Sequence, residues 1–217
     1  MITMQIPALY PILDTDSLST PCAPGLLGRA ICEQATQLFA AGCTLLQLRA
    51  KQMPVNELLS CARELRRLLP SATLIMNDRA DLCLAADFDG VHVGQQDLSP
   101  QGARAVVGPA RIVGLSTHNV AQFSAALLAP VDYLAIGPVF ATASKQNVDP
   151  VVGLECVAEA RRLLDAAASA VPLVAIGGIT RANAQAVRRA GADSVAVIGD
   201  ISCSPGDSAR EFFRLMM

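Results

Sequence analysis

The feature that most constrains the fold of this chain is an alternation of short apolar runs with longer amphipathic stretches, repeated eight times. The short runs are rich in Val, Ile and Leu and lack a polar face, which is typical of parallel strands that helices cover on both sides. We predict eight strands, at Ala8–Leu13, Leu45–Leu48, Thr73–Met76, Gly90–Val93, Arg111–Leu115, Tyr133–Ile136, Leu173–Ile176 and Ser194–Ile198.

The stretches between these runs are predicted helices. Asn119 stands just before one of them as an expected N-cap, and Gly42 and Gly191 stand just after two others, where helices commonly end. The predicted helices are Leu26–Ala40, Val55–Leu69, Arg79–Ala86, Ser99–Val107, Ala121–Leu128, Leu154–Ala168, Arg181–Ala190 and Ser208–Met216.

Eight strand–helix units in 217 residues give about 27 residues per unit, which lies at the compact end of the (β/α)8 range. We therefore predict a protein of the α/β class, a (β/α)8 barrel that forms a single domain over residues 1–217. The rival architecture is a doubly wound open sheet. That fold usually has fewer strands and a glycine fingerprint after the first one, which residues 14–25 lack.

Charge and hydropathy exclude several classes of function. The 17 Lys and Arg nearly cancel the 19 Asp and Glu, so the basic surface that nucleic-acid binding requires is not expected. The stretch 112–131 has no charged residue, but its Ser, Thr, His, Asn and Gln make it a poor membrane span. A secretory signal would need a basic start, whereas the first basic residue is Arg29.

The seven cysteines are odd in number, scattered and without a C-x-x-C pair. We expect reduced thiols in a cytoplasmic protein, most of them packed in the core as small apolar side chains. The sequence leaves the oligomeric state open, a homo-oligomer included.

In such a barrel the functional residues should follow the strands, at the carboxyl-terminal rim. Gln47, Arg49 and Lys51 alternate at the end of the second strand, so in an extended chain their side chains share one face. Two cations beside an amide suit a polyphosphate. The alternative is a solvated strand end whose cations pair with carboxylates of the helices.

Asp78 and Asp97 follow the third and fourth strands and are candidate metal ligands. Carboxylate oxygens that retain several waters, together with a phosphate ligand, describe a Mg²⁺ site better than a zinc site. The alternative is that each aspartate caps the helix that follows it.

Glycines follow the last two strands, at Gly177–Gly178 and at Ile198–Gly199. Backbone N–H groups approach phosphate oxygens where no side chain intervenes, so these positions are a candidate phosphate site. A tight turn explains the Gly pair equally well.

The only two histidines, His92 and His118, offer little for nucleophilic catalysis. Ser116 and His118 are too near in sequence for triad geometry, and there is no G-x-S-x-G elbow. We expect His92 to have a core or strand-end role.

Taken together, the ordered motifs resemble the thiamine phosphate synthase family over nearly the whole chain. The motifs are Q-L-R-A-K at 47–51, N-D-R-A-D-L-C-L-A at 77–85, D-G-V-H-V-G-Q-Q-D-L at 89–98, G-L-S-T-H at 114–118, G-P-V-F-A-T-A-S-K at 137–145, A-I-G-G-I-T at 175–180 and A-D-S-V-A-V-I at 192–198.

The resemblance implies a TIM-type barrel that joins hydroxymethylpyrimidine diphosphate to a thiazole phosphate and releases pyrophosphate, with Mg²⁺ as cofactor and these two small molecules as substrates. It places the two Mg²⁺ ligands on Asp78 and Asp97. It places the pyrimidine diphosphate on Gln47, Leu48, Arg49, Ala50, Lys51, Asn77, Ser116 and Lys145, of which Arg49, Lys51, Ser116 and Lys145 are also expected to act in catalysis. It places the thiazole phosphate, plain or carboxylated, on Thr142, Ala143, Ser144, the Gly177–Gly178 pair and Ile198–Gly199.

Two positions depart from the family pattern. Ser144 stands where a threonine is common, and Gly199 stands where a serine is common, so one hydroxyl contact to the phosphate is replaced by backbone alone.

Rival functions are a thiazole tautomerase of the same superfamily, a non-catalytic barrel that binds phosphorylated metabolites, and a generic phosphate-binding isomerase barrel. The Gln95, Gln96 and Asp97 segment favours the synthase over the tautomerase, and retention of every charged position disfavours the non-catalytic barrel.

Overall fold

The computed structural model describes residues 5–18, 26–142 and 150–216. Eight parallel strands close into a barrel in the order β1 to β8, and a helix follows each strand. The strands are β1 (Leu9–Asp14), β2 (Leu45–Arg49), β3 (Thr73–Asn77), β4 (Gly90–Val93), β5 (Ile112–Thr117), β6 (Tyr133–Ile136), β7 (Leu173–Ile176) and β8 (Ser194–Val197). The helices are α1 (Leu26–Ala40), α2 (Val55–Leu68), α3 (Ala80–Ala85), α4 (Pro100–Val107), α5 (Val120–Ala126), α6 (Gly153–Ala166), α7 (Ala184–Arg189) and α8 (Pro205–Met216).

The predicted barrel is confirmed, with differences confined to the ends of elements. The strand β5 continues to Thr117 because it pairs with β6 as far as Thr117 and Ile136, so Ser116 is a strand residue rather than a loop residue. The helix α8 begins at Pro205, three residues before the predicted start, because proline is accommodated in the first turn of a helix. The helix α7 begins at Ala184 instead of Arg181 because residues 181–183 form a turn.

Side chains that alternate along each strand form two apolar layers. Those that point outward pack against the helices in the larger layer, which includes Leu48 of β2. Those that point inward fill the barrel, among them Tyr10, Leu45, Ile75 and Tyr133. The barrel interior is therefore packed with side chains, and open space for a ligand lies beyond the strand ends.

An arginine–aspartate clamp recurs three times at the amino-terminal end of the barrel. Arg104 of α4 contacts Asp132 at 2.5 Å, and Asp132 also accepts the backbone N–H of Val113 at 2.7 Å. The same arrangement joins Arg66 to Asp89 and Arg161 to Asp193, and these aspartates accept the N–H groups of Leu74 and Leu173. Each aspartate immediately precedes an even-numbered strand, so the clamp ties a helix to two neighbouring strands.

We predict that Asp132→Ala lowers the free energy of unfolding by about 2 kcal/mol, because it leaves a partly buried guanidinium and a strand N–H without their charged acceptor. Urea denaturation measures the change. The control is Glu159→Ala, which removes an exposed ion pair within one helix and should have little effect. Equal effects of the two substitutions would contradict the role given to the clamp.

The cysteines agree with the expectation of a reduced chain. Cys32, Cys43, Cys61, Cys83, Cys156 and Cys203 are free thiols, and the first four are buried. Cys22 lies outside the described residues. None of the described helices has the length and apolar character needed to cross a membrane.

Cys43 gives the stability of the barrel a component that depends on pH. Burial raises the pKa of this fully buried thiol from 9.0 to about 12. Above about pH 9 the unfolded chain loses this proton while the folded chain keeps it, so stability falls as the pH rises from about 9 towards 12.

We predict that Cys43→Ala, although destabilised by its cavity, loses stability less steeply than the parent protein between pH 9 and 11. Urea denaturation at a series of pH values measures the two slopes. Cys203→Ala is the matched control, because Cys203 is exposed, and its slope should equal that of the parent. Identical slopes for all three proteins would contradict the assignment.

Candidate active site

Arg49 lies at the carboxyl-terminal end of β2, held by carboxylates of the neighbouring strand. Its guanidinium contacts Asp14 at 2.6 Å and Asp16 at 3.3 Å. Asp14 is opposite Arg49 in the β1–β2 register, and Asp16 lies in the helical turn Thr15–Ser17 that follows β1. The alternative prediction, that Arg49 pairs with carboxylates of the helices that cover the barrel, is therefore wrong. The sequence did not identify Asp14 and Asp16 as the partners of Arg49.

Asp14 is almost fully buried, and burial raises the pKa of its carboxyl group, against the lowering effect of Arg49. Its Oδ2 has no hydrogen-bond partner among the described residues. The other oxygen, Oδ1, is the one that contacts Arg49.

Lys51 lies just beyond the end of β2 and forms an ion pair with Asp78. Lys51 is half exposed, whereas Asp78 is mostly buried at the end of β3. Gln47 and Arg49 therefore alternate within β2 as predicted. Lys51 lies outside the strand and reaches the rim from the loop that follows it.

Asp78 and Asp97 have their carboxyl groups close together. Burial and the Asp97 carboxyl raise the pKa of Asp78, and Lys51 opposes that rise. At Asp97, burial favours protonation, but the contact with Asp78, the N–H of Gly94 at 2.8 Å and the charge of Lys51 together hold its pKa below the usual range. The pKa of Asp78 is therefore raised and that of Asp97 lowered, each in part by the other carboxyl group.

This pair fits the predicted Mg²⁺ site. Two carboxylates that resist ionising together are stabilised by a cation between them, and their hard oxygens suit Mg²⁺. Within residues 5–18, 26–142 and 150–216, no group of three or more His, Cys, Asp or Glu side chains could hold a metal ion. A two-carboxylate site leaves the remaining positions to water and phosphate, as Mg²⁺ prefers.

The structure excludes the helix-cap interpretation of both aspartates. Asp78 has a positive φ of 60°, and the residue that precedes α3 is Arg79, which makes no side-chain cap. The cap of α4 is Ser99, whose hydroxyl accepts the N–H of Gly102 at 3.1 Å. Neither carboxylate is therefore used as a helix cap.

A chain of hydrogen bonds crosses the inside of the barrel from Gln47 to Ser116. The amide Nε2 of Gln47 donates to the phenol of Tyr10 at 2.9 Å, and the phenols of Tyr10 and Tyr133 lie 3.0 Å apart. His92 Nδ1 lies 2.8 Å from the Tyr133 phenol, and His92 Nε2 lies 2.8 Å from Ser116 Oγ. These five residues come from five different strands.

The core or strand-end role expected of His92 is confirmed, because the residue is buried near the end of β4, but the two tyrosines were missed. They are the only two tyrosines in the sequence, and both occur in predicted strands, which is the signal that marks them. The ring of Tyr133 occupies the space opposite Gly114, where a Cβ would lie 2.1 Å from the ring.

Ser116 and His118 do not form a pair. Ser116 is bonded to His92, and its carbonyl accepts from Gln95 at 2.7 Å, whereas Nδ1 of His118 bonds to the carbonyl of Gly137 at 2.8 Å. Asn77, the last residue of β3, lies opposite His92 in the β3–β4 register and is half-buried at the rim.

The Gly177–Gly178 pair forms a tight turn against the loop after β6. Both residues have positive φ, 99° and 62°, and a Cβ would lie 2.5 Å from Pro138 and 2.4 Å from Ala141, respectively. The turn interpretation is therefore satisfied, and a phosphate role remains a prediction.

The turn after β8 is fixed to the loop after β7. Asp200 accepts from the backbone N–H of Arg181 at 2.8 Å and from its guanidinium at 2.9 Å. Ser202 holds the carbonyl of Ile198 at 2.9 Å, while Gly199 is exposed and has open space around its Cα. The two glycine-bearing loops thus lie side by side at the rim.

The remaining predicted residues fall into two groups. Leu48 points outward into the layer under the helices, and Ala50 packs on the same layer. These two residues would therefore contact a ligand at the rim through their backbone atoms rather than through their side chains. Thr142 is half-buried at the end of a described range. Ala143, Ser144 and Lys145 lie outside the described residues.

Comparison with known proteins identifies the family. The thiamine monophosphate synthase family model matches residues 10–201. A thiamine-phosphate synthase of Koribacter versatilis (strain Ellin345) is 53% identical over 214 residues, covering 98% of this chain and 97% of that protein. A thiamine-phosphate synthase of Myxococcus xanthus (strain DK1622) is 42% identical over 173 residues, covering 79% and 77%.

Among solved structures, the thiamine phosphate pyrophosphorylase from Pyrococcus furiosus superposes with a TM-score of 0.80 at 29% identity, covering 96% of this chain and 94% of that chain. The family model covers most of the barrel, and the Koribacter relative is matched over nearly its full length. The chain belongs to the thiamine monophosphate synthase family.

Proposed function

We propose that the rim of this barrel joins hydroxymethylpyrimidine diphosphate to a thiazole phosphate, which forms thiamine phosphate and releases pyrophosphate. The enzyme is a transferase, a thiamine-phosphate synthase, as its family and its relatives indicate. The observation that carries the site assignment is the convergence of Arg49 and Lys51 with the paired carboxylates of Asp78 and Asp97 at one end of the barrel.

The chemistry requires stabilisation of a leaving group more than activation of a nucleophile. Breaking the bond between the pyrimidine methylene and the diphosphate leaves a benzylic-like cation and a highly charged pyrophosphate. Arg49 offers a bidentate fork and Lys51 a point charge to the phosphate oxygens, and we assign Lys145 to the same task. Preorganised charges of this kind lower the barrier where negative charge develops.

Asp78 and Asp97 would hold Mg²⁺, which when bound supplies positive charge against the diphosphate oxygens. Lys51, already paired with Asp78, links the carboxylate pair to the diphosphate site. Gln47, Leu48, Ala50, Asn77 and Ser116 complete the pyrimidine side of the site, Leu48 and Ala50 through their backbones.

The thiazole nitrogen is already nucleophilic, so the bond-forming step needs position and no general base. His92 is not placed as a base at the rim, because both of its ring nitrogens are engaged, one by Tyr133 and the other by Ser116. This arrangement disfavours those tautomerase and isomerase mechanisms in which His92 would abstract a proton.

We assign the thiazole phosphate to the loops after β6, β7 and β8, through Thr142, Ala143, Ser144, Gly177, Gly178, Ile198 and Gly199. Support comes from the contact between the Gly177–Gly178 turn and the loop after β6, and from the Arg181–Asp200 pair. A cytoplasmic location accords with the free thiols of the six cysteines in the described residues, and a homo-oligomer stays a prediction.

The proposed function predicts pyrophosphate release that requires both substrates and Mg²⁺. The purified protein is incubated with hydroxymethylpyrimidine diphosphate and thiazole phosphate, with and without Mg²⁺, and pyrophosphate and thiamine phosphate are measured together. Stoichiometric formation of both products is expected. Binding of the thiazole phosphate without any release of pyrophosphate would favour a tautomerase or a non-catalytic barrel.

The metal assignment predicts that Asp97→Asn raises the Mg²⁺ concentration for half-maximal activity at least about tenfold, since one charged ligand becomes neutral. The matched control is Asp81→Asn, because Asp81 is exposed and pairs only with Arg79 among the described residues. Its Mg²⁺ dependence should equal that of the parent. An unchanged Mg²⁺ requirement in Asp97→Asn, with a circular dichroism spectrum like that of the parent, would remove Asp97 as a ligand.

A further inference from the structure

The hydrogen-bond chain inside the barrel has a direction, set by its first member. The Nε2 of Gln47 can only donate, so the Tyr10 phenol accepts at that end. Burial raises the pKa of both phenols, which therefore stay neutral and carry one hydrogen each. The hydrogen of Tyr10 must then go to the phenol of Tyr133, 3.0 Å away.

The positions of the Tyr133 and His92 hydrogens follow from the direction of the Tyr10 bond. Tyr133 accepts from Tyr10 and donates its own hydrogen to Nδ1 of His92 at 2.8 Å. A neutral imidazole that accepts at Nδ1 carries its hydrogen on Nε2, so His92 donates to Ser116 Oγ at 2.8 Å.

A chain of hydrogen bonds in the opposite direction would leave one buried hydroxyl hydrogen without an acceptor among the described residues. If Ser116 donated to His92 and His92 to Tyr133, the Tyr10 phenol would accept from both Gln47 and Tyr133. Its own hydrogen would then lack an acceptor among the described residues, although Tyr10 is only 1% exposed. An unsatisfied buried hydroxyl is costly, so the direction from Gln47 to Ser116 is favoured.

We propose that Tyr133 is a positioning residue that holds His92 in the Nε2–H tautomer and thereby leaves the hydroxyl hydrogen of Ser116 for an acceptor on the bound pyrimidine diphosphate. Ser116 is half-buried at the end of β5, and its hydroxyl has no hydrogen-bond partner other than His92 in the described parts of the chain. Ser116 thus acts as a donor towards the substrate. The role in catalysis rests on the proposed function, whereas the tautomer does not.

The tautomer is measured first, on the free protein, by nitrogen-15 and carbon-13 NMR of the histidine rings at about pH 8.5, where free imidazole is neutral. The chain has only two histidines, and His118→Gln assigns them. We expect Nε2–H for His92. His118 should show the opposite tautomer, because its Nδ1 donates to the carbonyl of Gly137. An Nδ1–H tautomer of His92 in the parent protein would overturn the proposal without any variant.

Two matched variants separate positioning from mere packing. Tyr133→Phe removes the donor to His92 and should abolish its preference for Nε2–H. Tyr10→Phe removes an equally buried hydroxyl but leaves Tyr133 able to donate to His92, so the tautomer should persist. The same response in both variants would overturn the proposal.

Kinetics then test the consequence at Ser116. Tyr133→Phe should lower kcat/KM for the pyrimidine diphosphate about tenfold, the loss expected for one misdirected hydrogen bond. In a Ser116→Ala background the same substitution should change kcat/KM less than twofold, because the group that it positions is gone. Independent, multiplicative effects would overturn the link between Tyr133 and Ser116. Absence of any synthase activity in the parent would refute the proposed function and leave the NMR result to stand by itself.

Discussion

The structure depends on the alternation of side chains along eight strands that close on themselves. An inward side chain in a barrel of this size has little access to bulk water, so a polar one is stabilised when it finds a partner inside or reaches the rim. Gln47, His92 and the two tyrosines have hydrogen-bond partners inside the barrel. Arg49 and Ser116 lie at the rim. The packed interior and the polar rim are therefore two results of one geometric rule.

The excess of carboxyl groups over cationic side chains at the rim would favour a bound cation. Arg49 and Lys51 contribute two positive charges to a cluster that contains the carboxyl groups of Asp14, Asp16, Asp78 and Asp97. The carboxylates hold the two cationic side chains in place, and burial raises the pKa of Asp14 and of Asp78. A divalent cation would offset this excess of carboxyl groups and would itself attract the diphosphate, which links metal binding to substrate binding.

Local patterns sufficed to predict the elements, whereas contacts between distant residues were not predictable. Apolar runs located every strand, because burial on both faces leaves a signal within a few residues. The partners of Arg49 depend on the register that places Asp14 beside it, and the Tyr10–Tyr133 contact joins residues 123 positions apart. In the sequence, the arginine–aspartate clamp is visible only as an aspartate before each of three strands, at Asp89, Asp132 and Asp193. The arginines that bind these aspartates lie on helices, so the contacts could not be predicted without the positions of those helices.

Calorimetric titration of pyrophosphate into the protein tests whether this rim neutralises the charge of a departing pyrophosphate. Pyrophosphate should bind in the presence of Mg²⁺, binding should weaken when Mg²⁺ is omitted, and Lys51→Met should weaken it further while binding of the thiazole phosphate is kept. Pyrophosphate binding that is indifferent to both Mg²⁺ and Lys51 would show that this rim does not neutralise the leaving group.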